Sequence, residues 1–374
     1  MRLDGKIALL LRYEPLNESG RSRWGDGRWS TRASFQNKLA AVERLGASAA
    51  VIVNPPGVAG LRGAELLQPG RGVRAYVNIP VLHLSRAAGE RLVAAADPEA
   101  RSLMDLRKRS DAGGFAVELK STASLEARFV TEPFHVENLV GVLPGRGALA
   151  AEHVVVGAHI DHLGRGRGAG GRGARSVQVA DAASEGVVYP GADDNASGVA
   201  GMLLVAARLA DEYRAAPPDA ELRTVAFIAF NAEESGAIGS RYYVANPLAP
   251  LTQHALMVNL SSIGRIERSR LHLQGLASGT GLAEFVAPLL EASSLDVLAG
   301  LRFTGVGDHT PFQRAEVPVL HAFGDRHADQ RTPRDTADKV NVCEALAAVD
   351  LLHGIVGAVA AWPQRFEFEP RTPR

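Results

Sequence analysis

Short apolar runs recur along the chain, each closed by glycine, proline or an acid, with amphipathic stretches between them. KIALLLR predicts a buried strand near the start, and SFQNKLAAVERLG an amphipathic helix ended by Gly46. SAAVIVNPPG predicts a second strand closed by prolines, and IPVLHLSRAAGERLVAA a strand that runs into a short helix. Further on, FAVELKSTASLEARFV alternates like an exposed antiparallel strand pair. NLVGVLPG, HVVVGAHID, RTVAFIAFNAEE, HALMVNLSSIG, SRLHLQGL and VPVLHAF follow as strands. Helices fall after GADDNASG and over residues 280–292 and 344–362. Strands alternating with helices predict an α/β fold: a mostly parallel mixed sheet between two helical layers. The polar, glycine-bearing RKRSDAGG marks a boundary, giving a smaller α/β domain over 1–118 and a larger one over 119–374.

The chain has 374 residues, more than one hydrophobic core usually holds, so two domains are also the expectation from length. Lys+Arg and Asp+Glu both number 41, so nothing in the balance steers the protein toward nucleic acid or an anionic membrane. Cys343 is the sole cysteine, which rules out an internal disulfide. The apolar C-terminal stretch is interrupted by Asp350 and His353 and reads as a core helix, not a membrane span. The first residues read as a strand, not a signal peptide, and the abrupt start fits a chain lacking an N-terminal portion. GRGRGAGGRGAR at 164–175 is a single short Arg/Gly repeat without aromatics, read as a surface loop and not an RNA contact.

The chemistry-bearing residues sit at strand ends. VVVGAHID ends in His159 and Asp161, VAFIAFNAEE ends in Glu233 and Glu234, and GADDN precedes a helix. In open α/β sheets ligands bind beyond the carboxyl ends of the strands, so the three clusters can meet on one edge. Adjacent carboxylates such as Asp193 and Asp194 repel unless a metal ion, an arginine or solvent intervenes. A metal site would use neutral imidazole and carboxylate ligands with a further carboxylate as proton acceptor. Asp161, two residues past His159, could accept the second imidazole N–H and fix the tautomer.

HID, GADDNASG and NAEESGAIGSRYY together resemble the motifs of the M28 family of zinc peptidases, over most of residues 120–345. The first domain resembles a protease-associated (PA) domain, in GKIALLLRYEP, KLAAVERLGASAAVIVNPPG and IPVLHLSRAAGERL. The resemblance implies a three-layer α/β/α zinc-exopeptidase core, up to two zinc ions, a peptide substrate and a secreted or periplasmic setting. It also implies roles. His159, Asp194 and Glu234 would be metal ligands, with Asp194 bridging. Glu233 would be the general base and Asp161 the partner of His159. GDHTPF resembles a family stretch whose residues, here Asp308 and His309, line the site.

Two positions depart from the family pattern. Ser261 stands where the family has an aspartate ligand, and Arg331 where it has a histidine ligand. Each zinc would thereby lose one protein ligand. Arg331, always charged, could instead neutralise Asp194 and Glu234 through forked hydrogen bonds. The resemblance therefore implies either an aminopeptidase with a depleted metal site or a non-catalytic member that acts as a binding or scaffold module for a protein partner. His83 is a lone histidine in an apolar strand, read as core.

Overall fold

The computed structural model describes residues 2–17, 22–24, 33–57, 77–113, 116–126, 135–165, 186–303 and 305–370. The Arg/Gly stretch lies almost wholly outside these residues. Two compact units emerge, residues 1–133 and 134–374.

In the first unit β1 (Ile7–Leu11), α1 (Phe35–Arg44), β2 (Ala49–Val53), β3 (Val81–Leu84), α2 (Arg86–Ala96) and α3 (Leu103–Ala112) succeed one another. The strands form a parallel sheet in the order β1-β2-β3. β2 is central and buried throughout, which is why AAVIV lacks alternation. The helices start at serines whose hydroxyls accept backbone amides: Ser34 for α1, Ser85 for α2 and Ser102 for α3, the last with Asp105 completing a reciprocal cap. The polar RKRSDA is thus the end of α3. Residues 116–126 are irregular where alternation predicts a strand, and Val117 and Leu125 pack on the first unit's core beside Val93 and Leu106. These apolar positions belong with the first unit. His83 is half-buried, with Nε2 3.1 Å from Asn54 Oδ1.

The second unit holds β4 (Leu139–Leu143), β5 (His153–His159), β6 (Gly164–Arg165), β7 (Val188–Tyr189), α4 (Gly198–Ala215), β8 (Thr224–Phe230), α5 (Ile238–Ala245), β9 (His254–Ser261), β10 (Arg270–Gln274), α6 (Leu282–Glu291), β11 (Asp296–Gly300), α7 (His309–Arg314), β12 (Val319–Phe323) and α8 (Val342–Ala361). Seven strands form one mixed sheet in the order β11-β10-β12-β9-β5-β8-β4. β5 runs parallel to β8 and β9, and β12 parallel to β9, while β4 and β10 are antiparallel to β8 and β12. β5, β8 and β9 are almost fully buried because helices cover both faces. On one face α4, α6 and α8 pack through Met202, Val205, Leu209, Val286, Leu352 and Val356. The other face is closed by Tyr243 of α5 and Phe312 of α7 over Phe230 and Met257.

By length and composition α8 would suffice to cross a membrane. Here it is a core helix, with Leu351, Leu352, Ile355, Val356 and Val359 buried against the sheet side. Its C-terminal carbonyls are held by the fully buried Arg223, which donates to the carbonyls of Val359 (2.6 Å), Trp362 and Gln364 (2.7 Å) and to Glu152 Oε2 (2.7 Å). The guanidinium offsets its burial by donating to these carbonyls and to Glu152 together.

Under the same sheet, His254 is 1% exposed; its Nδ1 lies 3.1 Å from the Pro250 carbonyl and its Nε2 2.9 Å from the Tyr243 hydroxyl. Burial pushes its pKa down to about 4, so the folded chain keeps it neutral. The unfolded imidazole titrates near 6.5, so the stability it contributes is complete above that pH and is lost as pH falls toward 4. Urea unfolding of the chain is therefore expected to show a drop of about 2 kcal/mol from this residue between pH 7 and pH 5. His254→Gln should flatten that slope, and an unchanged slope would contradict the buried neutral assignment.

Candidate metal and peptidase centre

Three parallel strands deliver the polar residues. β5 ends at His159, β8 runs into Asn231–Glu234, and β9 ends at Ser261. The Asp194 turn, Ala192–Ser197, is wide and leads into α4. All the candidate residues therefore belong to one edge of one sheet.

The paired acids of GADDN divide their roles. Asp193 is fully buried and faces inward: its Oδ1 accepts from Gly264 N (2.7 Å) and Ser197 Oγ (3.3 Å), and its Oδ2 lies 3.0 Å from His327 Nε2. Asp335 in turn accepts the backbone amides of Asp193 and Asp194 at 3.1 Å. Asn195 ties the turn to the end of β9, accepting from Ser262 N (2.9 Å) and donating to the Leu260 carbonyl (3.0 Å). The turn is thus held from every side, and Asp194 is left to face the pocket. Its Oδ1 stands 3.4 Å from His159 Nε2.

Asp161 serves differently from its expected role. The His159 Nδ1 lies 2.9 Å from the Asp161 backbone carbonyl, whereas the nearer carboxylate oxygen is 3.8 Å away. The carboxylate accepts instead the amides of Glu233 (2.9 Å) and Glu234 (3.1 Å). Two backbone donors at the turn after β8 are stronger claimants than an imidazole already served by a carbonyl. The His159 ring is still oriented, but by main chain, and Asp161 acts as the clamp that presents both glutamates.

A further residue, His162, enters where no motif pointed to it. Its imidazole is wedged against Gly191, where a Cβ would come within 2.6 Å of the ring, and Gly191 also needs its positive φ of 63°. The His162 Nδ1 comes within 3.2 Å of Glu234 Oε1 without the alignment of a hydrogen bond, so both buried ring nitrogens lack a hydrogen-bond partner among the described residues. Donor atoms of His162, Asp194 and Glu234 all lie within 4.8 Å of one another, the group of this kind found among the described residues. One imidazole and two carboxylates make a donor set that suits a catalytic zinc. The residues therefore fit a metal ion, on the condition that Glu234 is free to bind it.

Glu234 is engaged. Arg331 donates a fork to it, Nη1 to Oε1 at 3.1 Å and Nη2 to Oε2 at 2.5 Å, and its Nη1 stands 3.9 Å from Asp194 Oδ2. Arg331 has φ 60° and sits in a turn closed by Gln330 N to the His327 carbonyl and Thr332 N to the Asp329 carbonyl. Ser261 lies at the end of β9, opposite Phe323 in register, outside the three-donor group.

The remaining predicted residues line the same edge. Asp308 is buried, accepts from Ser240 Oγ at 2.6 Å and leaves its other carboxylate oxygen unpartnered among the described residues. His309 is stacked between Phe303 (4.6 Å) and His321 (4.4 Å). His321 Nδ1 lies 3.0 Å from Asn259 Nδ2, and burial lowers its pKa to about 4.

Electrostatics express one imbalance. Burial pushes the Glu233 carboxyl up to about 8, with the neighbouring acids adding to the effect against His159. Burial likewise raises Asp308 to about 6. For His159 burial works against the charged form, but the bond to Asp194 and the charges of Glu233, Asp194 and Asp308 prevail and raise it to about 10. The pocket gathers protons because its acids outnumber its fixed cations.

Against this geometry stand the comparisons. The model for peptidase family M28 matches residues 138–355, and that for the PA domain residues 2–92. The chain belongs to peptidase family M28. This M28 chain is 30% identical to aminopeptidase YwaD of Bacillus subtilis (strain 168) over 177 residues, which is 45% of the chain and spans only 37% of that relative. The aminopeptidase from Aneurinibacillus sp. strain AM-1 superposes with a TM-score of 0.53 at 22% identity, covering 100% of the chain and 73% of that structure. BSAP, a zinc aminopeptidase from Bacillus subtilis, gives a TM-score of 0.50 at 22% identity, covering 94% and 69%. These likenesses show the fold: the M28 core with its PA domain.

In this M28 chain, replacing Asp161 by Ala should leave the amides of Glu233 and Glu234 without their acceptor. A loss of about 2 kcal/mol in urea unfolding is expected, with faster hydrogen exchange at both amides. Unaltered exchange at those positions would remove Asp161 from its clamping role.

Proposed function

We propose that this chain carries a zinc-dependent exopeptidase centre that releases residues from the N-terminal end of peptides, with Glu233 as its general base. The observation that supports this most directly is the setting of Glu233. It is a half-buried carboxyl raised to about 8, next in sequence to Glu234 and clamped by Asp161. The ionised fraction of a carboxyl raised to about 8 is a stronger base than an ordinary glutamate, and the proton it takes can be handed on to a leaving amine. Zinc held by Asp194 and Glu234 with His159 or His162 would supply the Lewis acid that polarises the scissile carbonyl and lowers the pKa of a water. Asp161 keeps Glu233 and Glu234 in fixed relation, and the Asp161 carbonyl orients the His159 ring. Asp193 and Asp335 keep Asp194 pointed into the pocket. The family membership and the aminopeptidase names of the relatives support the same reaction class.

One observation favours a second reading. The fork of Arg331 on Glu234 satisfies both oxygens of a carboxylate that a metal would need. A chain in which that pair persists would be a non-catalytic module that uses the M28 fold for binding.

The two readings separate in one experiment. Zinc is counted by elemental analysis in the purified chain, and aminoacyl-p-nitroanilides are assayed with and without added Zn²⁺. The enzyme reading expects chelator-sensitive turnover that falls by roughly 10²- to 10⁴-fold in Glu233→Gln, with zinc content unchanged. Absence of turnover at saturating metal in the parent chain would count against the enzyme reading and in favour of the binding-module one.

A further inference from the structure

We infer that this chain's metal centre is a single three-donor site made by His162, Asp194 and Glu234, and that Arg331 is its built-in competitor, with guanidinium and metal occupying Glu234 alternately. The inference rests on the metal-dependent reading above and concerns which residues hold the ion and what displaces it.

His162 supplies the first argument. Its side chain is 8% exposed, yet both ring nitrogens lack a hydrogen-bond partner among the described residues. A buried imidazole whose nitrogens make no hydrogen bond is costly unless something else uses its nitrogen lone pair. Gly191 admits the ring at close approach, and the ring sits against Glu234 at 3.2 Å. His162 thereby restores the third donor that the replacement of a histidine ligand position by Arg331 removes. It comes from the strand-end segment of β5, not from the loop that bears Arg331.

Arg331 supplies the second. Its fork takes both oxygens of Glu234, and its Nη1 lies 3.9 Å from Asp194 Oδ2. A divalent ion among the three donors would meet a unit positive charge only a few ångströms away, so the two cations exclude each other. Exposure indicates which one can leave. The Arg331 side chain is 29% exposed, against 10% for Glu234 and 8% for Asp194. Its backbone is meanwhile pinned, because Asp329 is held by Arg334 (2.8 Å) and Lys339 (3.0 Å), and His327 by Asp193 (3.0 Å). A long side chain on a fixed turn can swing toward solvent without moving the loop. Apparent metal affinity then equals the intrinsic affinity scaled down by the fraction of chains in which Arg331 has left.

The test uses the full chain and Co²⁺, whose visible absorption reports its coordination, with Zn²⁺ titrated in competition. Arg331→Met, with Arg331→Gln as a second neutral variant, is expected to bind one ion roughly 10- to 100-fold more tightly than the parent. His162→Ala should weaken binding by a similar factor in both the parent and the Arg331→Met background, with far-UV circular dichroism unchanged. Equal affinity in the parent and both neutral variants, or affinity insensitive to His162→Ala, would overturn the inference. If turnover sensitive to Glu233→Gln persists in that case, the peptidase reading stands and only the ligand set and competitor are wrong. If no variant binds metal and none turns over substrate, both readings fall together.

Discussion

An excess of carboxylates at one edge of a buried parallel sheet governs this molecule. Asp161, Asp193, Asp194, Glu233, Glu234 and Asp308 all cluster near the ends of strands that the fold must bury on both faces. Such a cluster is tolerable only if its charge is neutralised locally. Each acid is answered in a different way. Asp193 is absorbed by the Gly264 amide, the Ser197 hydroxyl and His327, Asp161 by two amides, Asp194 by His159 and Glu234 by Arg331, while burial shifts Glu233 and Asp308 toward their neutral forms.

That ordering explains the layout of the second unit. The strands are apolar without alternation because helices close both faces, so polar side chains are expelled to the strand ends. There the chain turns, and backbone amides of those turns become the cheapest counter-dipoles for carboxylates. Asp161 and Asp335 spend their oxygens on such amides and in doing so fix the directions of Glu233, Glu234 and Asp194. Pocket acids that remain then face a shared space in which any cation, metal or guanidinium, is strongly favoured.

Much of the fold was legible in the residues. Apolar runs located β1 to β5, β8 to β10 and β12, periodicity located α1, α2, α4, α6 and α8, and the GADDN and NAEE segments located the site, whereas α3 was read as a polar boundary and α5 and α7 went unread. β11, DVLAG, went unread because its edge position leaves it partly exposed and without a clear apolar pattern. The alternating 116–126 misled, because its apolar positions pack on the first unit without a partner strand among the described residues. His162 was overlooked since it follows the HID motif with no spacing that marks a ligand. Gly191 as a neighbour was the missing signal, and it is far along the chain.

The sequence by itself determined the family, the order of elements and the acids available at the strand ends, including the presence of Arg331 in a ligand position. These are local properties, carried by period, turn residues and short motifs. Only the tertiary structure decided that Asp193 turns inward while Asp194 faces the pocket, that Asp161 binds amides and not imidazole, and that His162 joins Asp194 and Glu234. Those outcomes depend on strand register and on turns that meet after tens of residues of chain, up to 142 apart for Asp193 and Asp335, where direction in space is set by packing and no local pattern records it.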